Sequence, residues 1–334
     1  MSLGAEMRRR DFIKVVAGSA ITWPLSARAQ QSSLPVVAFI NGRSAEASVR
    51  VAAAFRKGLN ETGTVEGQDE MVEYHWLDGH YDRLPAVMAD LVRRRVAVIA
   101  IPSFSAGAQA AKAATATIPI VFGVGEDPVG LGLVASLARP GGNATGINFF
   151  SADITAKRLG LLHDLVPKAT RIAALVNPGN TSSDEAAQRD LPEAARAIGL
   201  QIELLNASTS REIEAAFVAM LRDRADALLV TPDGFLTSRR VQLATSAARY
   251  GIPSAHGSRE EAEAGGLMSY GPDLLEVYRQ GGAYTGQILK GAKPADLPVL
   301  QSSKFEFVIN LQTARLLGIE IPNSIQLLAD EIIE

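Results

Sequence analysis

Short, continuous apolar runs recur along this chain, each followed by a few small or polar residues and then by a helical stripe. In a first set they fall at 35–40 (PVVAFI), 96–101 (VAVIAI) and 118–122 (IPIVF). A strand buried on one face alternates apolar and polar side chains. An unbroken run is what a parallel strand covered by helices on both faces requires. Between the runs, Leu84, Val87, Met88, Leu91 and Val92 repeat at helical spacing, as do Val51, Phe55 and Leu59, so each segment has one buried face. A second set repeats the plan, with runs at 171–176, 201–205, 226–230, 252–255 and 267–270 and helical segments near 184–198, 211–222 and 236–249. The fold class that follows is α/β, with two doubly wound parallel-sheet lobes joined by a multi-strand hinge. The 334-residue length agrees, since a single core stops growing at about 250–300 residues.

The seams are read from glycine and proline. Gly141-Gly142-Asn143 leads to an extended stretch ending at Phe150, Tyr270-Gly271-Pro272 forms a second break, and the proline-containing stretch 291–298 precedes FEFVIN at 305–310. These place a first lobe at 34–147, a second at 148–270, a return of part of 273–334 to the first, and hinge crossings near 147–150, 270–273 and 297–305. Lobes joined by several strands close by bending about a cleft.

The first 29 residues read as a targeting segment. Arg8, Arg9 and Arg10 followed by Asp11, Phe12, Ile13 and Lys14 match the twin-arginine export pattern, and Ala27-Arg28-Ala29 is a small-residue cleavage site. The apolar stretch between them, Val15 to Leu25, is shorter than the roughly 20 residues a membrane span needs. The reading is a cleaved, periplasmic protein without membrane insertion. Cleavage removes five positive and two negative charges and leaves 28 Lys+Arg against 34 Asp+Glu. A chain of that balance offers no electrostatic case for nucleic acid. With no cysteine there is no disulfide framework, thiol catalyst or cysteine-ligated metal. A soluble monomer with no cofactor is expected.

Ligands bind open parallel sheets just beyond the carboxyl ends of the strands. The candidates there are Asn41, then Ser103, Phe104 and Ser105, then Asp127, read as an N-cap with Pro128 at the first helical position. In the second lobe they are Asn177, Asn180, Thr181, Asp233, Phe235, His256 and Tyr270. Each polar member has a plainer reading as a helix cap or turn residue. Phe104 and Phe235, at loop tips, need either a core or a ligand to cover them. Ser103 and Ser105, with the N–H groups of a helix start, suit a carboxylate. Asp233 suits a cationic amine, and Phe104, Phe235 and Tyr270 an apolar or aromatic body.

Other motifs fail on inspection. Gly123-x-Gly125 follows a strand, but Pro128 stands where a dinucleotide loop needs its third glycine. Ser105-Ala106-Gly107 lacks the preceding glycine of a hydrolase elbow, since position 103 is serine. His75, Asp78, His80 and Asp82 crowd a strand end and turn without sharing a helical face.

EDPVGLGLVASLARPGGNATG (126–146), LVNPGN (175–180), SYGPDLLEVYRQGGAYTGQILKGAKPADLPV (269–299) and FVINLQTARLLGIEIP (307–322) together carry a family resemblance. The chain resembles the substrate-binding proteins of ABC uptake transporters, in the family that includes tryptophan- and tyrosine-binding receptors. The resemblance implies a type I periplasmic binding protein-like fold, one small-molecule ligand in the cleft, and a closed form recognised by a membrane permease. It also implies that loops 103–105, 127, 177–181 and 233–235 face the ligand. SFSAG at 103–107 departs from the threonine-containing loop of many members. Two alternatives stay open at this level: a ligand sensor for a signalling partner, and a periplasmic enzyme on the same fold.

Overall fold

The computed structural model describes residues 34–149, 151–302 and 304–334. The export-signal reading falls outside them. Strands β1 (Val36–Asn41), β2 (Met71–Trp76), β3 (Val98–Ile101), β4 (Ile120–Val124) and β5 (Ala144–Asn148) form an all-parallel sheet, joined late in the chain by β11 (Leu300–Gln301) in the order β11-β5-β4-β3-β1-β2. Helices α1 (Val49–Glu61), α2 (Leu84–Arg94) and α3 (Ser105–Ala114) connect the first four. The central strands β3 and β4 are buried throughout, which is why they read as unbroken apolar runs. Edge strand β2 is half-exposed and carries Glu73 and His75; its mixed composition hides it from the same reading.

The second sheet has the order β13-β12-β10-β9-β8-β6-β7. Helix α4 (Ser151–Leu165) enters it, followed by β6 (Arg171–Val176), α5 (Thr181–Ala197), β7 (Gln201–Asn206), α6 (Ser210–Arg222) and β8 (Ala227–Val230). Next come α7 (Gly234–Ser238), α8 (Arg240–Tyr250), β9 (Ser254–His256), α9 (Arg259–Glu263) and β10 (Met268–Pro272). Helix α10 (Leu274–Leu289) then returns to the first sheet and packs on α1, β3 and β4 before β11. Strand β12 (Phe305–Asn310), helices α11 (Leu311–Leu317) and α12 (Asn323–Gln326) and β13 (Glu331–Ile333) complete the second sheet. The chain thus moves between the sheets after β5, after β10 and after β11.

The α/β class with two parallel-sheet lobes holds, with three local departures. Strand β10 pairs antiparallel with β12, because β12 enters from the first sheet and runs back along β10. The helix expected at 236–249 is broken at Arg239, whose ψ of 15° leaves the helical range. No helix follows Asp127-Pro128. The Asp127 carboxylate does accept from the N–H groups of Val129 and Gly130 (2.9 and 3.0 Å), but the segment continues in turns and bends. Gly132 adopts φ 70° and Gly141 φ 74°, a left-handed backbone that ends any helical run.

Helices α1 and α10 meet at glycines. A Cβ on Gly282 would lie 2.0 Å from the Phe55 carbonyl oxygen, and one on Gly58 would lie 1.8 Å from that of Arg279. No side chain fits there, so the two backbones touch directly.

Candidate functional site

In each sheet the chain leaves a central strand to one side and returns on the other. Strand β1 lies between β2 and β3, and β6 lies between β7 and β8. Loops at such a switch point diverge and open a crevice at the carboxyl ends of the strands. Here the two crevices face each other. Gly42, Arg43, Ser103, Phe104, Ser105 and Glu126 from the first lobe and Arg158, Asn180, Asp190, Asp233 and Glu261 from the second line one cavity of about 1100 Å³, part of it open to solvent.

The lobes are bridged around it. The Tyr81 hydroxyl donates to Asp233 Oδ2 (2.7 Å), and Arg43 Nη1 contacts Glu260 Oε2 (3.1 Å) with both side chains largely buried. Arg239 grips Asp78 through both terminal nitrogens (3.1 and 3.2 Å), the Ser44 N–H donates to Ser238 Oγ (2.8 Å), and Ser182 Oγ donates to Gln109 (2.6 Å). Backbone meets backbone at one point: a Cβ on Gly234 would stand 2.6 Å from the Gly42 carbonyl carbon.

Of the residues singled out from sequence, Ser103, Phe104, Ser105, Asn180 and Asp233 line the cavity. Ser105 begins α3, and its hydroxyl donates to Glu126. Phe104 is 4% exposed and its ring lies 4.8 Å from that of Tyr81, so the first lobe covers much of it. Asp233 caps α7, accepting from the Leu236 N–H (3.0 Å), and also accepts from Asn177 (3.0 Å), Asn180 (3.1 Å) and Tyr81. Four neutral donors hold its carboxylate, and no cation pairs with it among the described residues. Burial first, then the Asp233 charge, pushes the Tyr81 hydroxyl well above its ordinary range and keeps it a donor.

Asn41, Asp127, Asn177, Thr181, Phe235, His256 and Tyr270 stand off the cavity wall. The Asn41 amide donates to the buried Tyr278 hydroxyl (2.7 Å) and its carbonyl accepts from the Arg43 N–H. Thr181 opens α5, and Asp127 caps the exposed turn described above. Phe235 is 3% exposed, packed in the second lobe's core beneath the Arg239 guanidinium. Tyr270 stacks on Phe305.

His256 lies in β9 with Nε2 2.9 Å from Ser254 Oγ and no partner for Nδ1 among the described residues. Burial lowers its pKa, Glu261 opposes the shift and Arg158 adds to it. The folded protein therefore keeps the imidazole neutral where the unfolded chain, at the ordinary 6.5, takes up a proton. The corresponding stability is complete above pH 6.5 and is lost as pH falls below it. His256→Gln is expected to flatten this slope by up to about 1.4 kcal/mol per pH unit, read by urea denaturation between pH 5 and 7.5. His75, also lowered by burial, leaves its own share in the variant; an unchanged slope would show that His256 titrates normally.

Sequence reading missed Arg43, Glu126, Asp190 and Glu261 on the cavity wall, and it missed Arg158. It is 1% exposed, on the buried face of α4 with Leu161, Leu162 and Leu165, and it forms part of the cavity wall. The signal was present: Ile154, Arg158, Leu161, Leu162 and Leu165 are spaced as one helical stripe, and an arginine on an apolar stripe requires a buried partner.

A model of the family described as ABC transporter substrate binding protein matches residues 33–333. A tyrosine-binding protein of Clostridioides difficile is 28% identical over 270 residues, covering 80% of this chain and 76% of the relative. A crystal structure of an ABC domain in complex with L-Trp from Streptococcus pneumoniae is 26% identical, covers 90% of this chain and 100% of that one, and superposes with a TM-score of 0.79. A conserved domain protein from Vibrio cholerae has the same identity and coverage with a TM-score of 0.81. Among the described residues, no helix is long and apolar enough to cross a membrane.

Proposed function

The chain belongs to the family of ABC transporter substrate-binding proteins, and from that premise we propose that it captures a small carboxylate-bearing molecule with an apolar or aromatic body. An amino acid is the leading candidate, in keeping with the tyrosine and L-Trp named for its relatives. On this reading the protein is exported by its twin-arginine segment, works in the periplasm, and passes its ligand unaltered to an ABC permease. Phe104 offers the ligand an apolar face, and the N–H groups that open α3 beside Ser103 and Ser105 offer it further polar donors. Asp233 fixes the second lobe's loop and bears a negative charge toward the cavity.

The observation that carries this reading is the cavity itself, walled by the loops of both sheets and closed over by contacts between lobes. A ligand held there touches both lobes at once, so it favours the bridged arrangement over one in which the hinge has opened. A screen of amino acids, aromatic carboxylates, sugars and polyamines by thermal shift tests it. The expected result is stabilisation by a small set of related compounds, since binding to the folded state alone adds about 2.7 kcal/mol at a hundredfold excess over Kd. No stabilisation by any class would contradict it.

A further inference from the structure

Arg158 has the charge and the burial of a binding group and makes no ion pair among the described residues. Its Nε donates to the Tyr270 carbonyl (2.9 Å), while its buried Nη1 has no hydrogen-bond partner among the described residues. The carboxylate whose field it feels is Glu261, but Glu261 is committed elsewhere. Its Oε2 accepts from Gly257 N, Ser258 N and Ser258 Oγ (3.1, 2.9 and 3.1 Å), and its Oε1 accepts from Thr237 Oγ1 (3.1 Å). Burial, only partly opposed by the Glu261 charge, lowers the Arg158 pKa to about 10, so the guanidinium remains a cation at neutral pH. A buried cation left with an empty donor is costly unless something fills it.

We propose that Arg158 is the seat of the ligand's carboxylate, donating to it from the second-lobe wall of the cavity. Resting on the receptor reading above, this names the residue that recognises the ligand's carboxylate. Arginine donors match a carboxylate in plane and pair with it by charge-assisted hydrogen bonds. A doubly charged phosphoryl group suits the place poorly, because Glu126, Asp190, Asp233 and Glu261 also line the cavity. Those same carboxylates suit a ligand that carries an amine besides its single carboxylate.

The test compares wild type, Arg158→Met and Arg158→Lys in the thermal-shift screen. The probes are L-tryptophan, L-tyrosine and benzoate, their primary amides, inorganic phosphate, and the sugars and polyamines. Carboxylates are expected to stabilise wild type and their amides to fail. Calorimetry on a stabilising carboxylate should show a loss of about a hundredfold or more in Arg158→Met and a smaller loss in Arg158→Lys. Ligand-free Arg158→Met should be at least as stable as wild type, because an unpaired buried charge has gone; a purely structural arginine would give the opposite sign.

Stabilisation only by phosphate, neutral or cationic compounds would overturn the assignment, and the carboxylate of the proposed ligand with it, while leaving the solute-receptor role intact. Full carboxylate affinity in Arg158→Met would do the same, as would a ligand-free Arg158→Met and Arg158→Lys that both fail to fold. Stabilisation by nothing of any charge would remove the receptor reading and this assignment with it.

Discussion

Gly234→Val is expected to weaken ligand binding by roughly 5- to 150-fold while leaving the fold of each lobe intact. Gly234 opens α7 at the place where the lobes touch. A Cβ there would lie 2.6 Å from the Gly42 carbonyl carbon and 2.9 Å from the Arg43 nitrogen, both backbone atoms of the other lobe that cannot step aside. The valine can be relieved only by holding the lobes apart. Overpacking of this kind costs about 1–3 kcal/mol, and charged against the ligand-competent arrangement alone it appears in affinity in full. The first position of a short helix tolerates valine, so unfolding by urea should stay within about 1 kcal/mol of wild type. Calorimetry and denaturation on one preparation separate the two effects. Unchanged affinity would mean that the ligand does not need the 42–234 contact.

Gly282→Leu is expected to have the largest effect on stability, about 3 kcal/mol or more. Overpacking reaches such values where neither side can give, and the obstacle here is the Phe55 carbonyl of α1 at 2.0 Å. Helix α10 carries the chain back into the first lobe, so displacing it uncovers Tyr278, Tyr284 and Ile288, all buried on that helix. Binding should fall with the folded fraction and recover under stabilising conditions, unlike the loss in Gly234→Val. The midpoint and slope of urea unfolding read the effect; a midpoint unchanged from wild type would show that α1 and α10 can part without consequence.

What the sequence made legible follows from how each residue is buried. Strands such as β3 and β4, covered on both faces, wrote themselves as unbroken apolar runs. Edge strand β2, MVEYHW, did not, because it is covered unevenly. The loops after β3, β6 and β8 were named, with those after the other strands, because ligands bind beyond the carboxyl ends of parallel strands, and Ser103, Ser105, Asn180 and Asp233 do stand on the cavity wall. Which way a side chain turns within a loop depends on the other lobe and left no local trace. Phe235 packs into its own core and against Gly79 of the other lobe, and Tyr81, within YHWLDGHYDRL, bridges the lobes through Asp233. The glycines of α10 had no reading without the helix that crosses them. Arg158 is a different case, since its place on an apolar stripe was visible and carried the warning of a buried charge.

The central claim is that one small molecule sits between the two lobes and leaves unchanged. Native mass spectrometry of wild type and Gly234→Val, each incubated with a compound that stabilises wild type and then denatured to release it, tests this most directly. With the compound held near its wild-type Kd, the account predicts at most one bound equivalent on wild type, a several-fold lower occupancy on the variant, and a released molecule of the mass supplied. Equal occupancy on both proteins, or a released molecule of altered mass, would contradict it.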